Sequence, residues 1–294
     1  MLVSLGCREA RPPASTAEHA TAAPITLTYL GVAGWQVEAG GVTILADPYF
    51  SRPAALDDVH PLVPDAAAIA AHSPARADLI VVGHSHADHL LDAPAVALRT
   101  GAQIMGSRTT TLVARASGVP DDHLIGVRGG EDLAFDGYAV RVVPSLHSMI
   151  GDKHVLGTEL TAAPTMPMPF DGYAEGGTLA YLIRVAGHEV LILDTANFIE
   201  REVEGLRPDV AIVATGLREQ VHDYTCRLLR ALGAPPVVIA NHFDDWRAAP
   251  VDPPVGAAPA ADLQAFVDEV ARCAPGTRVV IPRHFEPFDP FAAR

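Results

Sequence analysis

Apolar and polar residues first fall into a regular pattern at Ile25, where ITLTY (Ile25–Tyr29) alternates with the period of a half-buried strand. Leu30-Gly31-Val32-Ala33-Gly34 turns the chain, Trp35–Ala39 returns, Gly40-Gly41 turns it again, and Val42–Ala46 runs apolar into Asp47-Pro48. This is a meander of short strands joined by glycine turns. Further strands are predicted over Leu79–Val82, Ala102–Gly106, Leu124–Val127, Glu131–Phe135 and Tyr138–Val143. In the second half they fall at Thr178–Val185, Glu189–Leu193, Asp209–Ala214, Pro236–Ala240 and Arg278–Pro282. Helices are predicted at Ala93–Thr100, Thr109–Ser117, Glu219–Leu232 and Ala260–Arg272. Two stretches keep no period: 51–77, with four prolines around an Ala-rich patch at Ala66–Ala71, and 148–177, which includes MPMPFDGY. Both read as long loops over a site.

One event recurs in this α/β pattern: a strand runs into a residue able to bind metal. Leu79–Val82 leads through Gly83 into HSHADH, which packs His84, His86, Asp88 and His89 into six residues of a chain with 13 histidines in 294. In an extended exit loop His84 and His86 point the same way, and a following helical turn would splay Asp88 and His89 to a second direction. The event repeats at His147, Asp194 and His242, at intervals of roughly fifty to sixty residues. Imidazole and carboxylate in this mixture suit Zn²⁺, Mn²⁺ or Fe, and ligands gathered from several strand ends make a preorganised site. Asp47, just past a strand end, fits either a carboxylate behind the ligands or a cap for the turn before Pro48. Trp35 reads as a core residue.

Composition narrows the classes. A net charge of −14 argues against a nucleic-acid partner, and no run approaches the roughly 18 apolar residues of a membrane span. Cys7, Cys226 and Cys273 have no metal-type spacing, and their odd number indicates no disulfide framework; Cys226 and Cys273 read as small apolar helix residues. Residues 1–24 are different in kind. Leu2–Cys7 resembles the end of a bacterial lipoprotein signal, without its charged leader, and Arg8–Pro24 has the Ala, Pro and Thr of a tether. These residues are set outside the fold, as a tether or signal remnant, with residues 25–294 as the enzyme domain. Localisation is then the cytoplasm, or the cell envelope if Cys7 ends a truncated signal. No G-x-S-x-G elbow or phosphate-binding loop is present.

In this order the ligand-type residues, H-x-H-x-D-H, a single His, an Asp and a last His, resemble the metallo-β-lactamase fold superfamily over nearly all of residues 25–290. The opening ITLTYLGVAGWQVEAGGVTILADP and the hairpin GGTLAYLIRVAGHEVLILDTAN are most similar to the branch containing ascorbate-6-phosphate lactonase and N-acyl phosphatidylethanolamine phospholipase D. The resemblance implies a four-layer αββα sandwich with the site along one edge. It implies that His84, His86 and His147 bind one metal ion and that Asp88, His89 and His242 bind a second, with Asp194 bridging. His284 competes with His242 for the last place, which the polar neighbours Asn241, Asp244 and Asp245 favour for His242. The usual Gly-Asp-Thr around the bridging Asp is here Leu193-Asp194-Thr195.

The function that follows is a dinuclear metal-dependent hydrolase, zinc leading over manganese or iron, in which a hydroxide held between the ions cleaves a small ester, lactone or phosphodiester. Asp88 would orient that hydroxide and pass a proton to the leaving group. His154 would assist the oxyanion, and Lys153, Phe170, Tyr173 and His284 are candidate substrate contacts. The alternatives are a β-lactam hydrolase and a di-iron redox member of the same fold. A non-catalytic binding protein is disfavoured, because a structural zinc site closes with four ligands.

Overall fold

The computed structural model of the chain describes residues 23–54, 56–151, 158–250, 252 and 257–292. Cys7, Lys153 and His154 lie outside the described residues.

The meander forms as its pattern requires. β1 (Ile25–Gly31), β2 (Gly34–Ala39) and β3 (Val42–Ala46) pair antiparallel in sequence order. β4 (Leu79–Val81), β5 (Gln103–Gly106) and β6 (Leu124–Gly126) then add parallel to β3, giving a six-stranded sheet in the order β1 to β6. Parallel neighbours need crossovers, and these are made by α1 (Ala66–His72), by α2 (Ala87–Leu90) with α3 (Ala93–Thr100), and by α4 (Arg108–Ala116).

The second sheet follows the same plan. β7 (Asp132–Ala134), β8 (Tyr138–Pro144), β9 (Leu179–Val185) and β10 (His188–Leu193) are antiparallel. β11 (Val210–Ala214), β12 (Val237–Asn241) and β13 (Arg278–Val280) continue parallel. Their crossovers contain α5 (Glu200–Val203), α6 (Tyr224–Ala231) and α7 (Ala257–Cys273).

Alternation along the strands explains the layers. Leu79 and Val81 join Tyr29, Trp35 and residues of the second sheet in one buried cluster between the sheets. Ile80 and Val82 enter a second cluster with Leu30, Leu45, Val96 and Val113, under α3 and α4. An unbroken apolar run is thus a strand covered on both faces. On the far side Leu228, Leu229 and Phe266 bring α6 and α7 onto the second sheet. The result is the expected αββα sandwich of two mixed sheets. Among the described residues no helix is long and apolar enough to cross a membrane.

Three details differ from expectation. The stretch 51–77 is not wholly irregular: Asp65 caps α1 by accepting from the amides of Ala67 (2.8 Å) and Ala68 (3.1 Å), and Leu62 and Ile69 are buried. The helix predicted from Glu219 begins at Tyr224. Buried Arg218, paired with Asp262 and Glu269 of α7, pins a 3₁₀ turn, and Asp223 is left-handed (φ +46°) before the helix starts. The third correction concerns the cysteines: Cys226 and Cys273 form a disulfide joining α6 to α7, with Cα atoms 5.2 Å apart. It closes a loop across a separation of 47 residues, for which unfolded-chain entropy gives about 4 kcal/mol of stabilisation. Cys226→Ser/Cys273→Ser is therefore expected to melt roughly 5–8 °C lower than the parent in non-reducing buffer, a difference that reductant removes.

Candidate metal centre

The ligand loop leaves β4 at Gly83, and the reason for glycine is steric. A Cβ there would lie 2.3 Å from the carboxyl carbon of Asp194, so the loop and the end of β10 can meet only without a side chain. His86 is the residue before α2, and the helical turn carries Asp88 and His89; the His89 ring is not splayed from that of His84 but lies 3.8 Å from it between centroids. His147 follows β8, and Asp194 follows β10. His242 follows β12 in a left-handed conformation (φ +50°), its amide donating to Val32 O at 2.8 Å.

These residues meet. Three groups of potential donor atoms, each within 4.8 Å, are formed by His84, His86 and His147, by His84, His89 and Asp194, and by Asp88, His89 and His242. His84 Nε2 faces His86 Nδ1 at 3.0 Å, and the His147 ring lies 4.6 Å and 4.8 Å from theirs between centroids. Asp88 Oδ2 stands 3.5 Å from His89 Nε2 and 3.4 Å from His242 Nε2. Phe170 and Tyr173 line the same cavity.

The outward ring nitrogens of His147, His84 and His89 are occupied. His147 Nδ1 donates to Ser148 O at 2.7 Å. His84 Nδ1 meets Asp194 Oδ2 at 2.5 Å, and the same oxygen is 3.7 Å from His89 Nδ1. His89 Nδ1 also meets Asp47 Oδ2 at 3.1 Å, while Asp47 Oδ1 accepts from Gly83 N at 2.8 Å. Asp47 therefore stands behind the ligand loop and orients it, as outer carboxylates do at metal sites. Asp194 touches one imidazole from each end of the cluster and is absent from the cavity wall.

Charge and burial agree with a cation. Burial, with His147 close by, holds His86 down at about 4; burial likewise holds His147 at about 4. Burial also lowers His84, together with His89 and His147. These rings are neutral at pH 7. Burial alone would raise Asp88, but His89 and His242 hold it well below the usual carboxylate range. His89 is raised because Asp88 and Asp47 outweigh its burial. Its Nε2 is buried without a hydrogen-bond partner among the described residues, and a metal ion, displacing the proton, is a partner that fits it. The donor set fits a divalent cation.

His284 lies elsewhere. It bridges Asp244 Oδ2 (3.1 Å) and Asp252 Oδ1 (2.9 Å) and does not reach the cavity wall. Asp244 also accepts from Tyr29 Oη and Val32 N, both at 2.8 Å, and pairs with Arg52. This buried network fixes the turn after His242. Its carboxylates raise the His284 pKa above 6.5 despite burial, and His284 with Arg52 lowers Asp244. The pairing is at full strength between the ordinary values of the two groups, 3.8 and 6.5, and fades as pH rises through the raised value of His284. His284→Gln is expected to cost roughly 2–3 kcal/mol at pH 5.5 and less at pH 9, measured as melting temperature against pH. Equal losses at both pH values would exclude an ionic pair.

Sequence reasoning passed over Trp246, Leu217 and Ile150, which line the cavity with Phe170 and Tyr173. Nothing in the local pattern distinguishes them from ordinary loop residues.

A sandwich that gathers imidazoles and carboxylates from the ends of both sheets beneath one cavity defines a metal-dependent hydrolase of the metallo-β-lactamase class. The family model for the β-lactamase superfamily domain matches residues 26–239, and the chain belongs to that family. A UPF0173 metal-dependent hydrolase of Methanopyrus kandleri is 28% identical over 231 residues, covering 77% of this chain and 87% of its own. Among solved structures, the metallo hydrolase Igni18 of Ignicoccus hospitalis superposes with a TM-score of 0.58 at 23% identity, over 90% of this chain and 98% of that one. The di-iron β-hydroxylase CmlA of Streptomyces venezuelae gives 0.59 at 17% identity, over 92% of this chain and 55% of that one. These two likenesses establish a shared fold.

Proposed function

We propose that the enzyme holds two divalent ions, His84, His86 and His147 binding one and Asp88, His89 and His242 the other, and hydrolyses a small ester, lactone or phosphodiester. The observation that carries this reading is the fusion of the donor groups. His84 and His89 each belong to two of them, so the three form one continuous cluster. Asp194, whose Oδ2 contacts a ring of each set, is the carboxylate that links them. Zn²⁺ suits so imidazole-rich a set, with Mn²⁺ or Fe as the competitors.

When bound, such ions lower the pKa of a water towards about 7 and polarise the scissile group. The chain's own residues do the rest. Asp88 lines the cavity and is held ionised, so it can accept a proton from the attacking water and return it to the leaving oxygen. Asp47 and Asp194 keep the rings of His89 and His84 aimed. Lys153 and His154 are the candidates for substrate and oxyanion contacts.

The test is turnover of purified protein against alkyl lactones, bis(p-nitrophenyl) phosphate and nitrocefin, loaded with Zn²⁺ or Mn²⁺ and assayed with and without chelator. The expected result is about two metal ions per chain and chelator-sensitive cleavage of a lactone or the phosphodiester. Full metal loading with no turnover of any of them would sink the reading. Iron with a visible absorption band would move it to redox chemistry.

A further inference from the structure

The cavity over the donor cluster has a volume of about 990 Å³, room for much more than the reacting atoms. Its outer part is apolar. Phe170 stacks on Trp246 with centroids 5.6 Å apart and planes inclined by 15°, and Ile150, Leu217 and Phe243 continue the surface. Leu217 and Ile150 are 45% and 43% exposed. Leu217 is also left-handed (φ +65°), a conformation that a bulky side chain avoids. The adjoining Gly216 is pressed so close to His242 that a Cβ would lie 2.8 Å from its carbonyl oxygen. The fold therefore holds a leucine open to solvent, on a cavity wall, against its backbone preference. Strain of that kind concentrates at ligand sites.

Charge bears on the far end of such a ligand. Among the described lining residues there is no Lys or Arg, against six carboxylates. Asp88 belongs to the donor cluster, Asp244 pairs with Arg52, and Asp262 pairs with Arg218. Asp58, Asp171 and Glu219 are exposed and make no ion pair among the described residues. Beyond the donor cluster, an anionic arm would meet three carboxylates that make no ion pair among the described residues, whereas an apolar or cationic arm would not be repelled.

Resting on the hydrolase reading above, we propose that the substrate is a carboxylic ester or lactone carrying an apolar arm whose end is uncharged or cationic. The arm lies on Leu217 and the Phe170–Trp246 pair. The reaction is hydrolysis: water oxygen bonds to the acyl carbon, the acyl carbon–oxygen bond breaks, and a proton of the water goes to the departing alkoxide.

The experiment uses γ-lactones with amide-linked arms of increasing length, ending in methyl, trimethylammonium or carboxylate, together with the matched γ-lactams as uncleaved probes. Trp35 is wholly buried and Trp246 stands on the cavity wall, so quenching of tryptophan fluorescence reports lactam binding independently of turnover. With the metal-loaded enzyme, kcat/KM is expected to rise by about fourfold per methylene until the cavity is full. The methyl and trimethylammonium ends should exceed the carboxylate end by about tenfold. Leu217→Gly, which suits the left-handed backbone, and Trp246→Ala should both flatten the dependence on arm length. The lactams should bind in the same order, with the fluorescence change lost in Trp246→Phe. Equal or better use of the carboxylate arm, or no dependence on arm length in the parent, would overturn the proposal. Lactams binding in the expected order without turnover of any lactone would support the binding preference and count against the hydrolase reading alone.

Discussion

Asp88→Asn is expected to lower turnover by about 10²- to 10⁴-fold and metal content by about one ion per chain. One oxygen of this carboxylate faces both His89 Nε2 and His242 Nε2, at 3.5 Å and 3.4 Å. No other cavity-lining carboxylate belongs to a donor group among the described residues. Asparagine keeps the shape but gives up the negative charge that makes this end of the cluster attractive to a cation, and it cannot take a proton from water. The side chain is only 14% exposed, yet its neighbours are other donor residues and not the core, so the fold should survive. Metal analysis and a melting curve on the same sample separate the effects. A variant with undiminished metal and activity would remove Asp88 from the chemistry.

Gly83→Ala should be nearly as damaging, although it adds a single methyl group. The new Cβ would sit 2.3 Å from the Asp194 carboxyl group, which is itself fixed against His84 and is 2% exposed. Neither partner has free space, so the end of β4 and the end of β10 must separate. Overpacking of this kind costs roughly 1–3 kcal/mol. The larger consequence is at the site, where a displacement of about 1 Å is enough to cost around 100-fold in rate. Activity is therefore expected to fall by about two orders of magnitude while the melting temperature falls by only a few degrees. Parent-like kinetics would mean that the contact between Gly83 and Asp194 is not required.

These two residues also show how far the sequence could be read. The strands were visible because their residues either alternate or run apolar without break, and HSHADH announces itself by density. His147, Asp194 and His242 became legible only as a series, since each lone strand-end residue has ordinary explanations. Gly83 was readable as a way out of a strand, but its partner lies 111 positions away in sequence and leaves no local trace. The same holds for Leu217, whose role depends on a backbone angle, and for Trp246, which resembles any loop aromatic until Phe170 is placed on it. The Cys226–Cys273 bond was concealed by the odd cysteine count. His284 misled in the opposite sense: following a strand, it has the same local setting as a ligand, and only the positions of Asp244 and Asp252 show that it is paired as part of a buried ionic network.

The donor cluster sits where the two sheets meet. His84, His86, Asp88 and His89 come from the first sheet, and His147, Asp194 and His242 come from strand ends of the second. The same seam is crossed by hydrogen bonds from Trp35 to Asn241 (2.9 Å) and from Tyr181 to Val82 O (2.8 Å). On the proposed ligand set, a nascent chain with one sheet formed would own only part of the donor cluster and would hold cations weakly. Tight metal uptake would then come late in maturation, after the halves have docked in register, and chelation during refolding should trap a species with native-like strands but an unsealed seam.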